Sequence, residues 1–306
     1  MGELSTSPPA VVDSDLAQFL SPSQVRCFMD CQVRWWFKYG MKYPDPPTGK
    51  MVLGKAVHAA LTQNFSQKLD SYEDLPVAGV RALFRGAWAV EQEHTEFRDD
   101  EDPSELAACG EALVSQYMDQ LAPLIQPAAV EMRVAGQIGG IRVQGWIDLI
   151  DVDGQIIDIK TAARRPNRID VDHRFQLATY AQLAPGASGR ARVDTLVKTK
   201  TPALVTHSFT VTDDDLLAIN KLYPLAQRSM KAGLYMPNRL SMACSRRNCG
   251  YWRQCEQELG GEVPETCWVA RSQFVTPNIW LGFAHVRALF AERREGLKHP
   301  TQVLMV

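Results

Sequence analysis

Apolar residues recur at helical spacing through roughly the first 125 positions, then switch to the two-residue period of strands. Residues 1–20 read as a loose tail. Ser21-Pro22-Ser23-Gln24 has the form of a helix start, with Ser at the cap, Pro at the first helical position and Gln three on from the cap. The periodicity predicts one helix from there to about residue 39, ended by the segment 44–48. A second helix is predicted over 51–69, with Gly54 and His58 four apart on one face. A third covers 77–97. Asp102-Pro103-Ser104-Glu105 is a capping signature for a fourth, running to about residue 121. Strands are then predicted over 129–134, 141–150, 155–159, 192–198 and 204–209. A helix over 172–183 lies between them, and Thr212 or Asp213 caps a further helix to about residue 232. A cysteine-rich segment follows, from Cys244 to Cys267, and then a helix over 278–294. There is no internal repeat and no low-complexity tract.

One feature departs from the apolar pattern. Gly145-Trp-Ile-Asp148 ends one strand, and Asp158-Ile-Lys160 lies in the next. Apolar strands normally exclude charge. Residues two apart share a face, so Asp158 and Lys160 point one way, and Ile157 and Ile159 point into the opposite layer. Whether Asp148 joins them depends on the turn. A two-residue loop, Asp153-Gly154, sets Asp158 against Leu149. A three-residue loop, Val152-Asp153-Gly154, sets it against Asp148, with Gly154 in the left-handed position such loops favour. The three-residue loop is the expectation. Two carboxylates facing each other bind a hard cation through oxygen, and an adjacent lysine can orient water or offset charge on a phosphate. The plain alternative is a surface hairpin with acidic turn residues, which suffices for Asp151 and Asp153.

Composition narrows the partners. The 306 residues are 45% hydrophobic, enough for one large domain or two small ones. A net charge of −2 and a pI near 6.3 confine any nucleic-acid surface to a local basic patch. The N-terminal residues lack the apolar core of a signal peptide, and no apolar run is long enough to span a bilayer. The expected location is cytoplasmic, where thiols stay reduced, so the seven cysteines call for a reading other than disulfides.

These motifs, in this order, resemble the RecB-like branch of the PD-(D/E)xK nuclease superfamily, the branch of the CRISPR-associated RecB-like exonucleases. The resemblance covers about residues 20–261. Leu20-Ser-Pro-Ser23 matches its opening. Leu53-Gly54-Lys55-Ala-Val-His58 matches the Gly-x-x-x-His helix whose His is a metal ligand. Glu131 matches the acidic residue of the first core strand, and Asp148 and Asp158-Ile159-Lys160 match the metal Asp and the Asp-x-Lys. Gln176-Leu-Ala-Thr-Tyr180 matches the Gln-x-x-x-Tyr helix, and Lys198-Thr-Lys200 stands where the family often has a basic strand end. Each has a plain alternative: a lone helical His is usually packed or solvated, and Gln176 and Tyr180 share a helix face and could simply pack.

The resemblance implies an α/β fold, a restriction-endonuclease-like core with a mixed central sheet, a helical N-terminal region and a C-terminal iron–sulfur cysteine segment. The division it suggests is a tail (1–20), one nuclease domain (21–261) and an extension of unassigned role (262–306). Within the domain, 21–125 would be the helical part, 126–235 the nuclease core and 241–261 the cysteine segment. It implies a DNA nuclease using Mg²⁺ or Mn²⁺, acting on single-stranded or frayed ends. His58, Asp148 and Asp158 would hold the metal with Glu131 assisting, Lys160 would position water, and Gln176 and Tyr180 would order Lys160 or the substrate. DNA repair, recombination or CRISPR adaptation are the settings, with helicase or recombination partners. A non-cutting DNA-binding subunit and a hydrolase of RNA or another phosphodiester are the rivals.

In the branch with a [4Fe–4S] cluster, one cysteine precedes the His helix and three follow the core, which carries over to Cys31, Cys244, Cys249 and Cys255. The first late spacing here is C-x4-C where the family has C-x2-C, so Cys27 and Cys267 stay open as substitutes, as does a structural Zn²⁺ in place of the cluster. Cys109 reads as a core thiol. Arg164, Arg165 and Arg168 follow the Asp-x-Lys strand and are candidates for phosphate contact, with Lys198, Lys200, Arg246, Arg247 and Arg253 nearby or flanking the cysteines. Trp35, Trp36, Tyr251 and Trp252 could stack on bases or shield the cluster, and shielding is the expectation for Trp35 and Trp36.

Overall fold

The computed structural model describes residues 18–199 and 201–266. Lys200, Cys267 and the helix expected over 278–294 lie outside them. Strand β1 (Phe19–Leu20) is followed by helices α1 (Pro22–Asp30) and α2 (Gln32–Trp35), the latter continuing as a π-turn over Trp36–Gly40. Helices α3 (Gly49–Ser71), α4 (Val77–Gln92) and α5 (Pro103–Gln120) come next. Then come strands β2 (Pro127–Ile138), β3 (Ile141–Asp151) and β4 (Ile156–Ala162), helix α6 (Val171–Leu183), strands β5 (Arg190–Val197) and β6 (Ala203–Thr210), and helices α7 (Asp213–Lys231) and α8 (Trp252–Leu259).

The sheet is mixed, in the order β1-β3-β4-β5-β6, with β2 on the other side of β3. β4 and β5 are parallel, so the chain crosses over between them through α6. One face packs against α3, α4 and α5, around Phe65, Phe84 and Tyr117 together with Leu149, Ile157 and Ile159. The other packs against α6, through Ile147, Ile156, Leu177 and Tyr180. Each large apolar side chain buried this way contributes about 1.5–3 kcal/mol.

The expected α/β class and its mixed sheet are present. Three local expectations are corrected. The helix predicted from Ser21 to residue 39 breaks at Cys31, whose backbone is extended (φ −157°). Tertiary bonds hold the break: Asn238 donates its backbone N–H to the Cys31 sulfur (3.4 Å) and its side-chain amide to the Asp30 carbonyl (2.8 Å), and Ser241 donates to the Asp30 carboxylate (2.6 Å). The helix predicted to residue 97 ends at Gln92, and Phe97 turns back to pack on Trp88. Strand β1 and helix α8 were not foreseen, because both are short.

Helix α7 shows a capping box. Thr212 accepts from the Asp215 amide, and Asp215 accepts from the Thr212 amide. Arg174 of α6 forks onto the same carboxylate (2.6 and 2.7 Å), and with those bonds holds the Asp215 pKa down at about 2. A depressed carboxylate stabilises the fold above its unfolded pKa of 3.8, and that contribution is lost as pH falls through about 2. Arg174→Met is therefore expected to flatten the loss of stability between those values, by about 1–2 kcal/mol after solvent screening. Urea melts at a series of acidic pH values check this, and equal acid slopes for both proteins would refute it.

Candidate active site

β3 carries two partners on one edge. β1 pairs with its start (Leu20 opposite Val143) and β4 with its end (Leu149 opposite Ile157). Between them the edge is unladdered, and the site lies at this opening. The loop after β3 is the three-residue one: Asp151 N–H donates to the Gln155 carbonyl, and Gly154 takes φ +74°. A side chain at Gly154 would also strike the Gly186 carbonyl, 2.8 Å from its Cβ. With Leu149 opposite Ile157, Asp148 and Asp158 stand at the next position along. There the ladder gives way to a side-chain bond, as Asp148 Oδ2 accepts from the Ile159 N–H (2.8 Å).

The row extends to β2. Val130 pairs with Leu149 and Met132 with Ile147, which sets Glu131 against Asp148. Glu131 takes φ +48°, left-handed for a residue in a strand, at a cost of about 1–3 kcal/mol. Its carboxylate accepts from Thr62 of α3 (3.3 Å) and lies 3.5 Å from His58 Nε2. His58 Nε2 is also 3.3 Å from Asp148 Oδ1. Gly54, one turn before His58, allows α3 this close, since a Cβ there would sit 2.8 Å from Thr161 Oγ1.

Lys160 Nζ is 2.7 Å from Asp158 Oδ1, and Gln176 of α6 donates to the same oxygen (3.3 Å) and to the Tyr180 hydroxyl (3.3 Å). Ile157 and Ile159 pack under α3 on the other face, as the strand period requires.

Burial opposes the charge on His58, but the hydrogen bond and charge of Asp148, with the charge of Glu131, raise its pKa. Burial likewise opposes the Asp148 carboxylate, yet His58 and Lys160 hold it below its ordinary value. Asp158 goes the other way: burial, with the Asp148 charge, pushes its carboxyl up against the pull of Lys160. Lys160 is raised, because Asp158 and Asp148 outweigh its desolvation. Burial also takes the Tyr180 hydroxyl to about 12.

One ligand atom each of His58, Glu131 and Asp148 lies within 4.8 Å of the other two, the one such set of three or more among the described residues. Nitrogen and carboxylate oxygens in this arrangement suit a hard divalent cation. Asp158 is outside that set. Its Oδ1 is taken up by Lys160 and Gln176, while Oδ2 is buried with no hydrogen-bond partner among the described residues. It is thus a buried oxygen free to serve as a ligand.

Around Lys160 the chain forms two clefts. One runs along Gly54, His58 and Ile159. The other is lined by Arg164, Arg165, Arg168, His173 and His207. Among the described residues the three arginines form no ion pair or hydrogen bond, unlike Arg174 and Arg192, which are locked to Asp215 and Asp194. Lys198 points inward instead, donating to the Lys50 carbonyl (2.9 Å) and Thr161 (3.2 Å). Arg246 pairs with Glu256 and Glu265, and Arg247 with Asp100. Trp35 and Trp36 are buried against Tyr235, Tyr251 is buried, and Trp252 lies against both Arg246 and Arg253. Sequence reasoning missed Thr62 and His173. Thr62 was findable as the position four after His58 on the same helix face. His173, near enough to Asp158 for their charges to interact, carried no local signal.

Cys31, Cys244, Cys249 and Cys255 line one cavity with Phe37, Tyr251 and Trp252. Cys27 packs in the neighbouring apolar cluster, and Cys109 packs against the α3–α5 core.

A family described as the PD-(D/E)XK nuclease superfamily matches this sequence over residues 19–256. No curated protein matches the chain. Among solved structures, similar chains include one from Eubacterium rectale described as a "putative exonuclease", at 13% identity and a TM-score of 0.49, covering 78% of this chain and 91% of that one. Another is SSO0001, at 11% identity and a TM-score of 0.37, covering 79% and 87%.

Proposed function

The chain belongs to the PD-(D/E)XK nuclease superfamily, and from that premise we propose that it is a Mg²⁺- or Mn²⁺-dependent DNA nuclease acting on single-stranded or frayed ends. The observation that carries this is the convergence of His58, Glu131 and Asp148 beside the Asp158–Lys160 pair. His58, Asp148 and Asp158 would hold the cation, with Glu131 beside them. When bound, a hard divalent cation supplies Lewis-acid polarisation of the phosphodiester and makes water more acidic. Lys160 contributes a fixed positive charge at the mouth of both clefts, where it orients the attacking water or offsets charge on the phosphate. Gln176 holds Asp158, and through Tyr180 it fixes the wall of the site. Arg164, Arg165 and Arg168, free of protein partners, take backbone phosphates leaving the site.

The cysteine cavity supports a second part of the proposal, a [4Fe–4S] cluster on Cys31, Cys244, Cys249 and Cys255. Four thiols around one cavity, one from before the His helix and three from after the core, supply the four sulfur ligands that such a cluster takes, and a structural Zn²⁺ is the alternative. The cluster would staple α1 to the segment before α8. Membership in the CRISPR-associated RecB-like branch, and work alongside helicase or recombination proteins, follow as part of the same reading.

Labelled single-stranded DNA, blunt duplex DNA and RNA incubated with Mn²⁺ test the function. Cleavage of single-stranded DNA by wild type, lowered at least about 100-fold in Lys160→Ala, is expected. Replacing the three arginines by Gln should reduce the salt dependence of binding by about one unit of slope per lost contact. Absence of metal-dependent cleavage, or preference for RNA, would overturn the reading.

A further inference from the structure

The hairpin of β2 and β3 runs past the helices that cover the rest of that face. α3 reaches it at Val130, Glu131 and Leu149. Beyond that point Val143, Gly145 and Ile147 are buried toward α6, so Arg142, Gln144 and Trp146 lie on the opposite side, the one α3 covers further along. β2 adds Arg133 opposite Trp146 and Gln137 opposite Arg142, and β1 adds Phe19, also opposite Arg142. None of these side chains belongs to a hydrophobic cluster among the described residues.

An antiparallel sheet can leave one face to water, but polar residues then suffice. Here the face holds Trp146, 50% exposed, and Phe19, 41% exposed. Each aromatic ring has an arginine against it: the Arg133 guanidinium is 5.9 Å from the Trp146 ring, and that of Arg142 is 5.4 Å from the Phe19 ring. Arg133 is further steadied by a bond to Gln144 (3.0 Å), and neither arginine has an acidic partner among the described residues. The stripe is therefore aromatic, cationic and fixed in place. It leads toward the site, because α3 on this side brings His58 to Asp148 and Glu131, and Trp146 is two residues, about 7 Å along the strand, from Asp148.

We infer that this face of the β2–β3 hairpin is a binding track for single-stranded DNA, with Trp146 stacking on an unpaired base beside the reacting phosphate. The occupant is set by chemistry. An aromatic face accepts any base, but only one that is not paired, and the flanking arginines neutralise phosphates. From Phe19 and Arg142 to Asp148 the track spans about 20 Å, room for roughly four nucleotides. A duplex cannot offer a bare base face to Trp146, so the track selects single strands. The inference rests on the nuclease reading for its direction toward the carboxylates.

The test uses the full chain in EDTA, where binding is measured without metal-dependent cleavage. Fluorescence anisotropy with a labelled oligothymidylate of about 12 nucleotides is compared with a blunt duplex. Trp146→Ala should weaken single-strand binding about 10-fold or more, whereas Trp146→Phe, which keeps a stacking ring, should stay within about threefold of wild type. Duplex affinity should be equal in all three. Unchanged single-strand affinity in Trp146→Ala, or an equal loss on the duplex, would overturn the track. Failure of the nuclease reading shows separately, as a chain that needs Trp146 to bind but does not cut in Mn²⁺.

Discussion

Replacing Asp158 by Asn is expected to abolish metal-dependent cleavage while leaving the metal-free fold no less stable than wild type. The two effects share one cause. Burial and the neighbouring Asp148 charge push the Asp158 carboxyl up, even with Lys160 at 2.7 Å. A carboxyl raised on folding contributes stability that is present below its unfolded pKa and lost as pH rises through its folded value. Above that folded value the ionised group therefore works against the fold, and removing its charge relieves that cost. Asn keeps the size of the side chain and an oxygen for Lys160 and Gln176 but removes the charge. It also removes a carboxylate oxygen that a cation needs, so activity should fall by at least about 1,000-fold. Cleavage assays in Mn²⁺, paired with urea melts in EDTA, check both halves. Residual cleavage near the wild-type rate, or a marked loss of stability in EDTA, would refute the account.

The second large effect is expected at the cysteines. Cys249→Ala should cost several kcal/mol, a substantial part of the roughly 5–15 kcal/mol that holds a domain together. The segment from residue 232 to 266 has one short helix, α8, and few buried apolar residues of its own: Tyr251, Cys255 and Val263. Its attachment to α1 otherwise comes from the bonds of Asn238 and Ser241 around Asp30 and from Tyr235 packing on Phe28. Protein purified anaerobically should be brown, with iron and sulfide near a four-iron stoichiometry, and the Ala variant should lose both the colour and the cooperative melt. Cys109→Ala serves as the control, since Cys109 lies outside the cavity and packs under α3–α5. Colourless wild type carrying zinc, or a Cys249→Ala protein that melts like wild type, would defeat the cluster.

Much of the fold was legible because its signals are local. Ser21, Asp102 and Thr212 cap the helices they were expected to cap. Every predicted strand is present and longer than expected, although β4 starts one residue later and β5 ends one residue earlier than predicted. The register that sets Asp148 level with Asp158 followed from counting residues in a turn, because the three-residue loop fixes which residues of the two strands stand opposite. What failed shows the limit of such signals. The helical pattern runs through Cys31 without interruption, and the break there comes from Asn238, more than 200 residues away. The site residues were placed by motif order. Thr62 and His173 belong to no motif and became visible only in the folded arrangement.

By itself, the sequence determined the elements, their caps and the register of the Asp148–Asp158 hairpin, since each depends on a few neighbouring residues. The tertiary structure alone decided that β3 would leave its edge open between β1 and β4, and that Glu131 would take a left-handed backbone beside His58. It also decided that four cysteines would share one cavity, and that Trp146 would stand on an uncovered face. These depend on which surfaces meet, and on where a covering helix ends, and no local periodicity encodes either.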